Sequence, residues 1–348
     1  MSKLTDLFEE LTNSVVSHPY KAALTTLLLL LPLFPQIKKS IRRRKRQGLI
    51  PKEKERVLIL GGTTGVGREI AIEYARRGAR IYVVGRKADE IAAIKRLCKQ
   101  QYLVLHGVPK LREEENFLRS VYGDFANPED MVRVRAEIEE VWGGVDTIVV
   151  SAGVSALKPL LDVAEVPSLK DSTADEPTLE NIKQVVGFAD AAQRGNYVGP
   201  LVTALTFIPL LHRTSKSPSI LLMSSLAALV PAPTRTLYGS TKAASLMLYQ
   251  SLSIEHPSIN FSFIVAATIK GHFRASAVDL PENQRLAANL KGLEKEYVAM
   301  KAIDAVDTST QWTFLPQAYS RLGQMLYWII PSFVTQQACK KYNFTPEY

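Results

Sequence analysis

Tyr238 and Lys242 lie four positions apart in the segment TLYGSTKAAS, residues 236–245. On a helix this spacing places both side chains on one face, one turn apart. A fixed cation beside a phenol lowers the phenol's pKa from its ordinary value of about 10 and so assists proton transfer near neutral pH. A packed tyrosine beside a surface lysine has the same spacing. The pair therefore indicates acid–base chemistry only if other residues converge on it.

A glycine-rich turn near residue 61 is typical of a nucleotide site. Val57–Leu60 has the pattern of a strand, Arg68–Arg77 that of a helix with one apolar face, and ARIYVVG that of a second strand. Glycine lets the backbone come close to a pyrophosphate at the helix N-terminus. This βαβ unit predicts a dinucleotide site whose turn residues are Gly61, Thr63, Thr64, Gly65, Val66 and Gly67.

The end of the second strand indicates which dinucleotide is bound. An NAD site usually presents a carboxylate there for the ribose hydroxyls. Here Gly85 occupies that place, and Arg86 and Lys87 follow. A guanidinium can bind a 2′-phosphate through charge-assisted hydrogen bonds, whereas an acid would repel it. Arg86 therefore predicts NADP(H), the alternative being a solvated surface arginine.

Later strands end in residues suited to the same site. Asp124 follows a short strand, where it can meet an adenine ring. The strand TIVV runs into a turn of small residues at 151–153, and the strand SILLM ends at Ser224 and Ser225. Ser224 is expected to support the backbone. The predicted cofactor contacts therefore also include Asp124, Ser151, Ala152 and Gly153.

Together these motifs resemble the short-chain dehydrogenase/reductase family of the classical type, over about Arg56 to Ala277. They are GGTTGVG, Asp124, VSAG, NYVG at Asn196, SSLAA and YGSTK. In that family the second serine of the strand-end pair lies thirteen positions before the tyrosine, as Ser225 lies before Tyr238. The resemblance implies an α/β fold of the Rossmann type, with a doubly wound parallel sheet, and a nicotinamide-dependent oxidoreductase.

The resemblance also implies a role for each residue of one catalytic group. Tyr238 exchanges a proton with a substrate oxygen while the nicotinamide carries hydride. Lys242 lowers the pKa of Tyr238 and binds the nicotinamide ribose, and Ser225 orients the carbonyl oxygen. Asn196 holds a water that links Lys242 to solvent, the alternative being a helix-capping asparagine.

Several positions depart from the family pattern. Ser151 stands where an asparagine usually ties the central strands together. Residues 266–267 are Ala-Ala in place of Pro-Gly, and Gly271 replaces a threonine that often contacts the cofactor amide. Thr268 or the backbone at Ile269 is expected to take over that contact.

Composition excludes several other classes of protein. The 348 residues are 46% hydrophobic and 22% charged, as in an ordinary globular protein. Two distant cysteines and five histidines without ligand spacing predict neither a disulfide framework nor a metal site. Seven cations in KKSIRRRKR, residues 38–46, account for most of the net charge of +9 and leave +2 elsewhere. No aromatic platform accompanies them, so membrane contact is favoured over nuclear import or nucleic-acid binding.

The basic run follows an apolar segment, AALTTLLLLLPLF, at residues 22–34. A cleaved secretory signal carries its charges before the apolar core, whereas here they come after it. The order predicts an uncleaved membrane anchor, spanning or interfacial, with the basic run on the cytoplasmic side. A buried helix of the globular fold is the alternative, disfavoured because seven exposed cations would follow it directly.

The chain divides into an anchor with its basic run (1–50), a Rossmann core (51–275) and a helical C-terminal lid (276–348). Residues 282–303 are charged and helical in pattern and are expected to cover the substrate side. LGQMLYWIIPSFV, residues 322–334, is either a buried or dimer-interface helix or a second membrane contact. Residues 157–190 include a polar insertion at the substrate mouth or a partner surface.

These expectations combine into an NADP(H)-dependent oxidoreductase that interconverts a ketone and a secondary alcohol on a lipophilic substrate. The chain is similar to ketosphinganine reductases and to hydroxysteroid and retinol dehydrogenases, including fungal members. We expect a homodimer at the endoplasmic reticulum or a lipid droplet, with the catalytic domain facing the cytosol. The departures from the family pattern leave one alternative, a catalytically weak nucleotide-binding membrane scaffold or regulator.

Overall fold

Seven parallel strands form the centre of the protein. A computed structural model describes residues 33–113, 116–166, 176–284 and 291–346. The strands are β1 (Arg56–Leu60), β2 (Arg80–Gly85), β3 (Leu118–Tyr122), β4 (Thr147–Val150), β5 (Ser219–Ser225), β6 (Asn260–Ala266) and β7 (Trp312–Leu315). They are hydrogen-bonded in the order β3-β2-β1-β4-β5-β6-β7. This order confirms the predicted Rossmann-type parallel sheet.

Helices cover both faces of the sheet. They are α1 (Leu33–Leu49), α2 (Gly65–Arg76), α3 (Ala88–Glu113, broken at Gly107), α4 (Pro128–Trp142), α5 (Leu160–Val163), α6 (Leu179–Gln193), α7 (Gly199–Thr214), α8 (Thr236–Glu255), α9 (Lys295–Asp307), α10 (Gln317–Ile329) and α11 (Pro331–Tyr342). Residues of α2, α3 and α9 form the core on one face, and residues of α4, α7 and α8 form it on the other. Because both faces are covered, the strands are nearly continuous apolar runs.

The segment after residue 275 contributes more to the core than a lid would. β7 pairs with β6 from Phe263–Trp312 to Ala266–Leu315. α9 packs on α2, and its side chains Val298, Ala302 and Ile303 are fully buried. Val298 and Ala302 lie one turn apart on the same face of α9, and Ile303 lies at the edge of that face. The charged residues of α9 make this face hard to recognise in the sequence. Residues 295–303 of the expected lid at 282–303 therefore belong to a core helix, α9, whereas α10 and α11 line the cavity of the site.

The basic run lies in the middle of α1, and part of it is bound to the core. Arg46 is buried, and its guanidinium contacts Glu55 at 2.7 Å, Thr147 at 2.8 Å and Ser219 at 2.9 Å. Arg43 pairs with Asp304. The expectation that all seven cations are exposed is therefore wrong for Arg46, because distant strands supply its acceptors.

The contacts of Arg46 lie at the amino edge of the sheet, where the strands begin. Thr147 and Ser219 open β4 and β5, and Glu55 precedes β1. Residues 1–32, which hold most of the predicted anchor, are outside the described residues. Among the helices that the structure describes, none combines the length and apolar character needed to cross a membrane.

Candidate active site

The turn after β1 is built from glycines that touch backbone. Gly61 has φ +80°, and a Cβ there would lie 2.6 Å from the backbone of Ala152. A Cβ on Gly67 would lie 2.2 Å from the carbonyl oxygen of Gly61. Gly65 begins α2 with φ +57°, and Thr64 before it makes no side-chain cap. The first N–H groups of α2 are thus open to an anion, and the turn forms a cradle that fits a pyrophosphate.

The end of β2 lies beside this turn. A Cβ on Gly85 would lie 2.5 Å from the methyl group of Thr63. The Thr63 hydroxyl donates to Glu90 at 3.0 Å, and Lys87 pairs with the same carboxylate at 3.1 Å. Arg86 is exposed and forms no ion pair with any described residue. Its guanidinium is therefore available to a ligand phosphate at the edge of the cradle.

The ends of β3 and β4 complete this half of the site. Asp124 accepts hydrogen bonds from the backbone N–H of Ala126 at 3.0 Å and from Arg194 at 3.1 Å. The backbone N–H groups of Ser151 and Ala152 both donate to the carbonyl oxygen of Leu60, at 3.0 and 2.9 Å. The main chain itself therefore ties β4 to β1 where the family usually uses an asparagine.

Asn196 lies in a single π-helical turn, Arg194–Val198, between α6 and α7. Its side chain is fully buried, accepts from the Val154 N–H at 2.9 Å, and donates to the Val154 carbonyl oxygen and the Thr241 hydroxyl at 3.0 Å each. It caps no helix, so the capping alternative is wrong. A Cβ on Gly153 would lie 2.7 Å from the Asn196 side-chain oxygen and 3.2 Å from Lys242 Nζ. The glycine thus lets both groups approach the backbone.

The end of β5 and the first turns of α8 bring Ser225, Tyr238 and Lys242 together. The Ser225 hydroxyl accepts from the Ala227 N–H at 3.2 Å, and its interaction with the Tyr238 phenol favours a lower pKa of that phenol. Lys242 Nζ donates to the Met223 carbonyl oxygen at 3.1 Å. The structure thus assembles these residues at the carboxyl edge of the sheet.

Two pKa shifts characterise this group. Burial raises the pKa of Tyr238, while the hydrogen bond with Ser225 and the charge of Arg235 oppose that rise. Burial lowers the pKa of Lys242 to about 8. The pKa of Tyr238 is therefore raised, whereas the sequence led us to expect that Lys242 would lower it. Burial of the phenol outweighs the effect of the nearby charges. The cation that acts on the phenol is Arg235, which sequence reasoning missed.

A single cavity of about 1440 Å³ joins these parts. Every predicted site residue lines it except Gly67 and Asn196, which lie behind its wall. Ile269 also lines it. Backbone hydrogen bonds fix its neighbours to Leu293, because the Lys270 N–H donates to the Leu293 carbonyl oxygen and the Leu293 N–H donates to the Thr268 carbonyl oxygen. The wall also includes six residues that were not predicted to line the site: Arg235, Arg274, Leu322, Leu326, Phe333 and Tyr342.

Comparison with known proteins agrees with this arrangement. A model of the short chain dehydrogenase family matches residues 55–279. An 11-beta-hydroxysteroid dehydrogenase-like 4A of Arabidopsis thaliana is 26% identical over 215 residues, which are 62% of this chain and only 60% of that protein. An L-rhamnose-1-dehydrogenase of Scheffersomyces stipitis is 27% identical over 231 residues, 66% of this chain and 78% of the other.

A solved structure has the same fold. An alcohol dehydrogenase from Thermococcus sibiricus, complexed with 5-hydroxy-NADP, superposes with a TM-score of 0.56 over 75% of this chain and 95% of the other, at 20% identity. The chain therefore belongs to the short-chain dehydrogenase family, a class of nicotinamide-dependent oxidoreductases. The choice of cofactor, the substrate, the residue roles and the membrane anchor stay predictions.

Proposed function

We propose that this protein is an NADP(H)-dependent oxidoreductase that interconverts a ketone and a secondary alcohol on a lipophilic substrate. The observation that carries the proposal is the position of Ser225, Tyr238 and Lys242 in the cavity that also holds the glycine cradle. A bound nicotinamide supplies or accepts the hydride. The protein's own task is to hold the substrate oxygen and to move one proton to or from it.

Tyr238 is the proposed proton donor in the reductive direction. Its raised pKa keeps the phenol protonated at neutral pH, so a proton is present when charge develops on the carbonyl oxygen. The phenolate left behind is favoured by the hydrogen bond with Ser225 and by the charge of Arg235. Ser225 would also hydrogen-bond the substrate oxygen and fix its direction.

Lys242 and Asn196 are proposed to support this transfer. With its pKa lowered to about 8, Lys242 can lose or regain a proton near neutral pH. Asn196 is a positioning residue, since its three hydrogen bonds fix it beside Gly153 and Lys242. A water held there would connect Lys242 with solvent, as the family resemblance implies.

The preference for NADP(H) rests on the end of β2. Gly85 offers no carboxylate to the ribose, and the unpaired Arg86 stands next to it on the cavity wall. A 2′-phosphate would place its charge against this guanidinium. That the structural relative from Thermococcus sibiricus carries 5-hydroxy-NADP is consistent with this choice.

The proposal of a lipophilic substrate rests on the outer wall of the cavity. Leu322 and Leu326 of α10 and Phe333 and Val334 of α11 line it. The ring of Phe273 also stands edge-on to Tyr238, with centroids 5.8 Å apart. An apolar chain would bury these side chains from water and gain free energy from the burial.

A panel of lipophilic ketones tests the proposal. Purified protein should oxidise NADPH with at least one ketone of the panel, and Tyr238→Phe should lower kcat by about 10²–10⁴-fold without loss of NADPH binding. Tyr297→Phe is the matched control, because Tyr297 lies outside the cavity. If wild type and Tyr238→Phe both bind NADPH and neither turns over any ketone, the scaffold alternative replaces the enzyme.

We also propose that α1 lies on an anionic membrane surface, at the endoplasmic reticulum or a lipid droplet. Phe34, Ile37 and Ile41 are exposed along the helix face opposite Arg46. Lys38, Arg44 and Lys45, which form no ion pair with described residues, flank that face. This arrangement is typical of a helix that lies in a membrane interface.

The membrane proposal is tested by deleting residues 1–32 and, separately, by changing Phe34, Ile37 and Ile41 to serine. A deletion to residue 50 would be a poor test because it removes the buried Arg46. Either change should reduce flotation with vesicles that contain anionic lipid, and both together should abolish it. Undiminished flotation of the combined variant would move the membrane contact to the C-terminal segment that includes Trp328.

A further inference from the structure

Charges are distributed unevenly along the wall of the cavity. All three carboxylates that line it have cationic partners: Glu90 with Lys87, Asp124 with Arg194, and Glu294 with Lys270. Among the described lining residues, five cations form no ion pair: Arg86, Lys242, Arg235, Arg274 and Lys341. The proposed function assigns Arg86 to the cofactor and Lys242 to proton transfer, and it gives Arg235 an effect on the pKa of Tyr238. Arg235, Arg274 and Lys341 lie with the substrate wall, where none of the described lining residues is a carboxylate.

Among the residues that the structure describes, neutral groups hold Arg235 in place. Its guanidinium donates to the Ser155 hydroxyl at 3.3 Å and to the Ala156 carbonyl oxygen at 3.0 Å. It also lies over the ring of Tyr342, 5.6 Å from the ring centroid. These contacts fix its direction but leave its positive charge uncompensated. The charge of Arg235 also acts on the phenol of Tyr238, three residues further along the chain. It opposes the rise that burial causes in the pKa of that phenol.

Arg274 is a second guanidinium in the same part of the wall. It lies in the short helix His272–Ser276 and is half-buried. Burial and the charge of Arg235 both lower the pKa of Arg274, so the two guanidinium groups repel each other. Lys341 adds a third charge over the same Tyr342 ring, at 5.8 Å. Such a cluster costs free energy unless an anion compensates it.

We propose that the substrate carries an oxyanionic group, a carboxylate or a phosphate, which binds Arg235 and Arg274 while the ketone lies at Tyr238. This rests on the proposed function. The substrate is then an amphipathic molecule, with an apolar chain against α10 and α11 and a charged group on the two arginines. Both oxyanions match the planar donor fork of arginine, and Lys341 contributes long-range attraction.

The competing explanation is that Arg235 only fastens residues 155–156 to α8. A purely structural arginine would affect every substrate alike. An anion-binding arginine would instead change the ratio between charged and neutral substrates with the same carbon skeleton. That ratio also cancels any common effect on Tyr238, because both substrates use the same proton donor.

The experiment compares a long-chain oxo fatty acid with its methyl ester, and a long-chain oxoalkyl phosphate with its dimethyl ester. In wild type, kcat/KM for at least one acid should exceed that of its ester by about tenfold or more, because hydrogen bonds to charged groups are among the strongest. The ratio of kcat/KM for the acid to kcat/KM for its ester should fall severalfold in Arg274→Gln. It should reach about one in the double variant Arg235→Met/Arg274→Gln. Arg96→Met, an exposed arginine outside the cavity, should keep the wild-type ratio.

Two further measurements of the acid-to-ester ratio test the proposal, one at different NaCl concentrations and one in the conservative variant Arg235→Lys. The preference for the acid should decline between low and high NaCl concentration, because ions screen the attraction. Arg235→Lys should restore part of the ratio that Arg235→Met loses. If wild type reduces esters and acids equally well, the anion site is overturned while the oxidoreductase stands. If no member of either pair is turned over but longer neutral ketones are, the anion site also fails.

Discussion

The two edges of the sheet treat positive charge in opposite ways. At the amino edge, Arg46 is surrounded by Glu55 and strand hydroxyls, and Arg56 pairs with Asp146 at 2.8 Å. At the carboxyl edge, the hydrogen-bond acceptors of Lys242 and Arg235 among the described residues are all neutral. Each edge is built from strand ends and adjacent loops, so the fold does not impose this difference.

This difference in charge pairing indicates which edge of the sheet binds ligands. A buried charge that is fully paired inside the protein needs nothing further from outside. A charge without a counter-ion costs free energy in the isolated protein and is compensated when a ligand of opposite sign arrives. The amino edge is therefore assigned to stability and the carboxyl edge to binding, and substitutions at the two edges should have different consequences.

The largest effect on stability is expected at the amino edge. Arg46→Met leaves Glu55 buried without its cation and should lower the free energy of unfolding by about 3–5 kcal/mol. Urea denaturation measures this change. Arg46→Met/Glu55→Met removes both charges and should recover a large part of the loss, so that the pair can be assessed even if the single variant folds poorly. An effect of Arg46→Met below 1 kcal/mol would mean that the edge is not built around this pair.

Lys242 is expected to have an intermediate effect on the free energy of unfolding, and this effect should depend on pH. Its pKa is lowered to about 8 in the folded protein, so the charged form destabilises the fold below that pH. As pH rises from 8 toward the unfolded value near 10.4, the folded protein loses this cost and becomes more stable. Relative to Lys242→Met, wild type should gain on the order of 2–3 kcal/mol between pH 7 and pH 10.

Denaturation midpoints at several pH values test this difference, with Lys99→Met as the control. Lys99 is an exposed lysine on α3, and its replacement should leave the pH dependence of wild type unchanged. A Lys242→Met curve parallel to that of wild type from pH 7 to pH 10 would contradict the assignment.

The smallest effect on stability is expected for Arg86, although its effect on binding is specific. Arg86→Ala should change the free energy of unfolding by less than about 0.5 kcal/mol, since the side chain is exposed and unpaired. Its loss should weaken NADPH binding by about tenfold or more and leave NADH binding nearly unchanged. Fluorescence titration of both cofactors measures this. Equal weakening of the two would remove the basis for preferring NADP(H).

The sequence predicted most of the sheet and nearly all of the cofactor cradle, because these features are local. A glycine turn between two apolar strands, or a serine thirteen residues before a tyrosine, can be recognised within a short stretch. The docking of Arg46 could not be recognised in this way. Its acceptors include Thr147 and Ser219, roughly a hundred or more residues away, and the surrounding cations give the segment the pattern of a solvated surface.

The same reason explains the errors in the C-terminal third. Five of the thirteen residues of α9 are charged, so its buried residues Val298, Ala302 and Ile303 are inconspicuous in the sequence until β6 and α2 are placed beside them. Arg235 and Arg274 have no motif of their own. Their relation to Tyr238 depends on how the loop after β6 folds over α8.

The docking of Arg46 also determines where a mechanical load enters the protein. A pull on the segment before Leu33 passes along α1 to the first residues of β4 and β5. β5 runs seven residues from there to Ser225, a distance of roughly 20 Å. If the N-terminal segment is bound to a membrane, as proposed, its motion would reach the amino edge of the sheet first. The cavity edge, at the other end of the strands, would then be free to face that membrane.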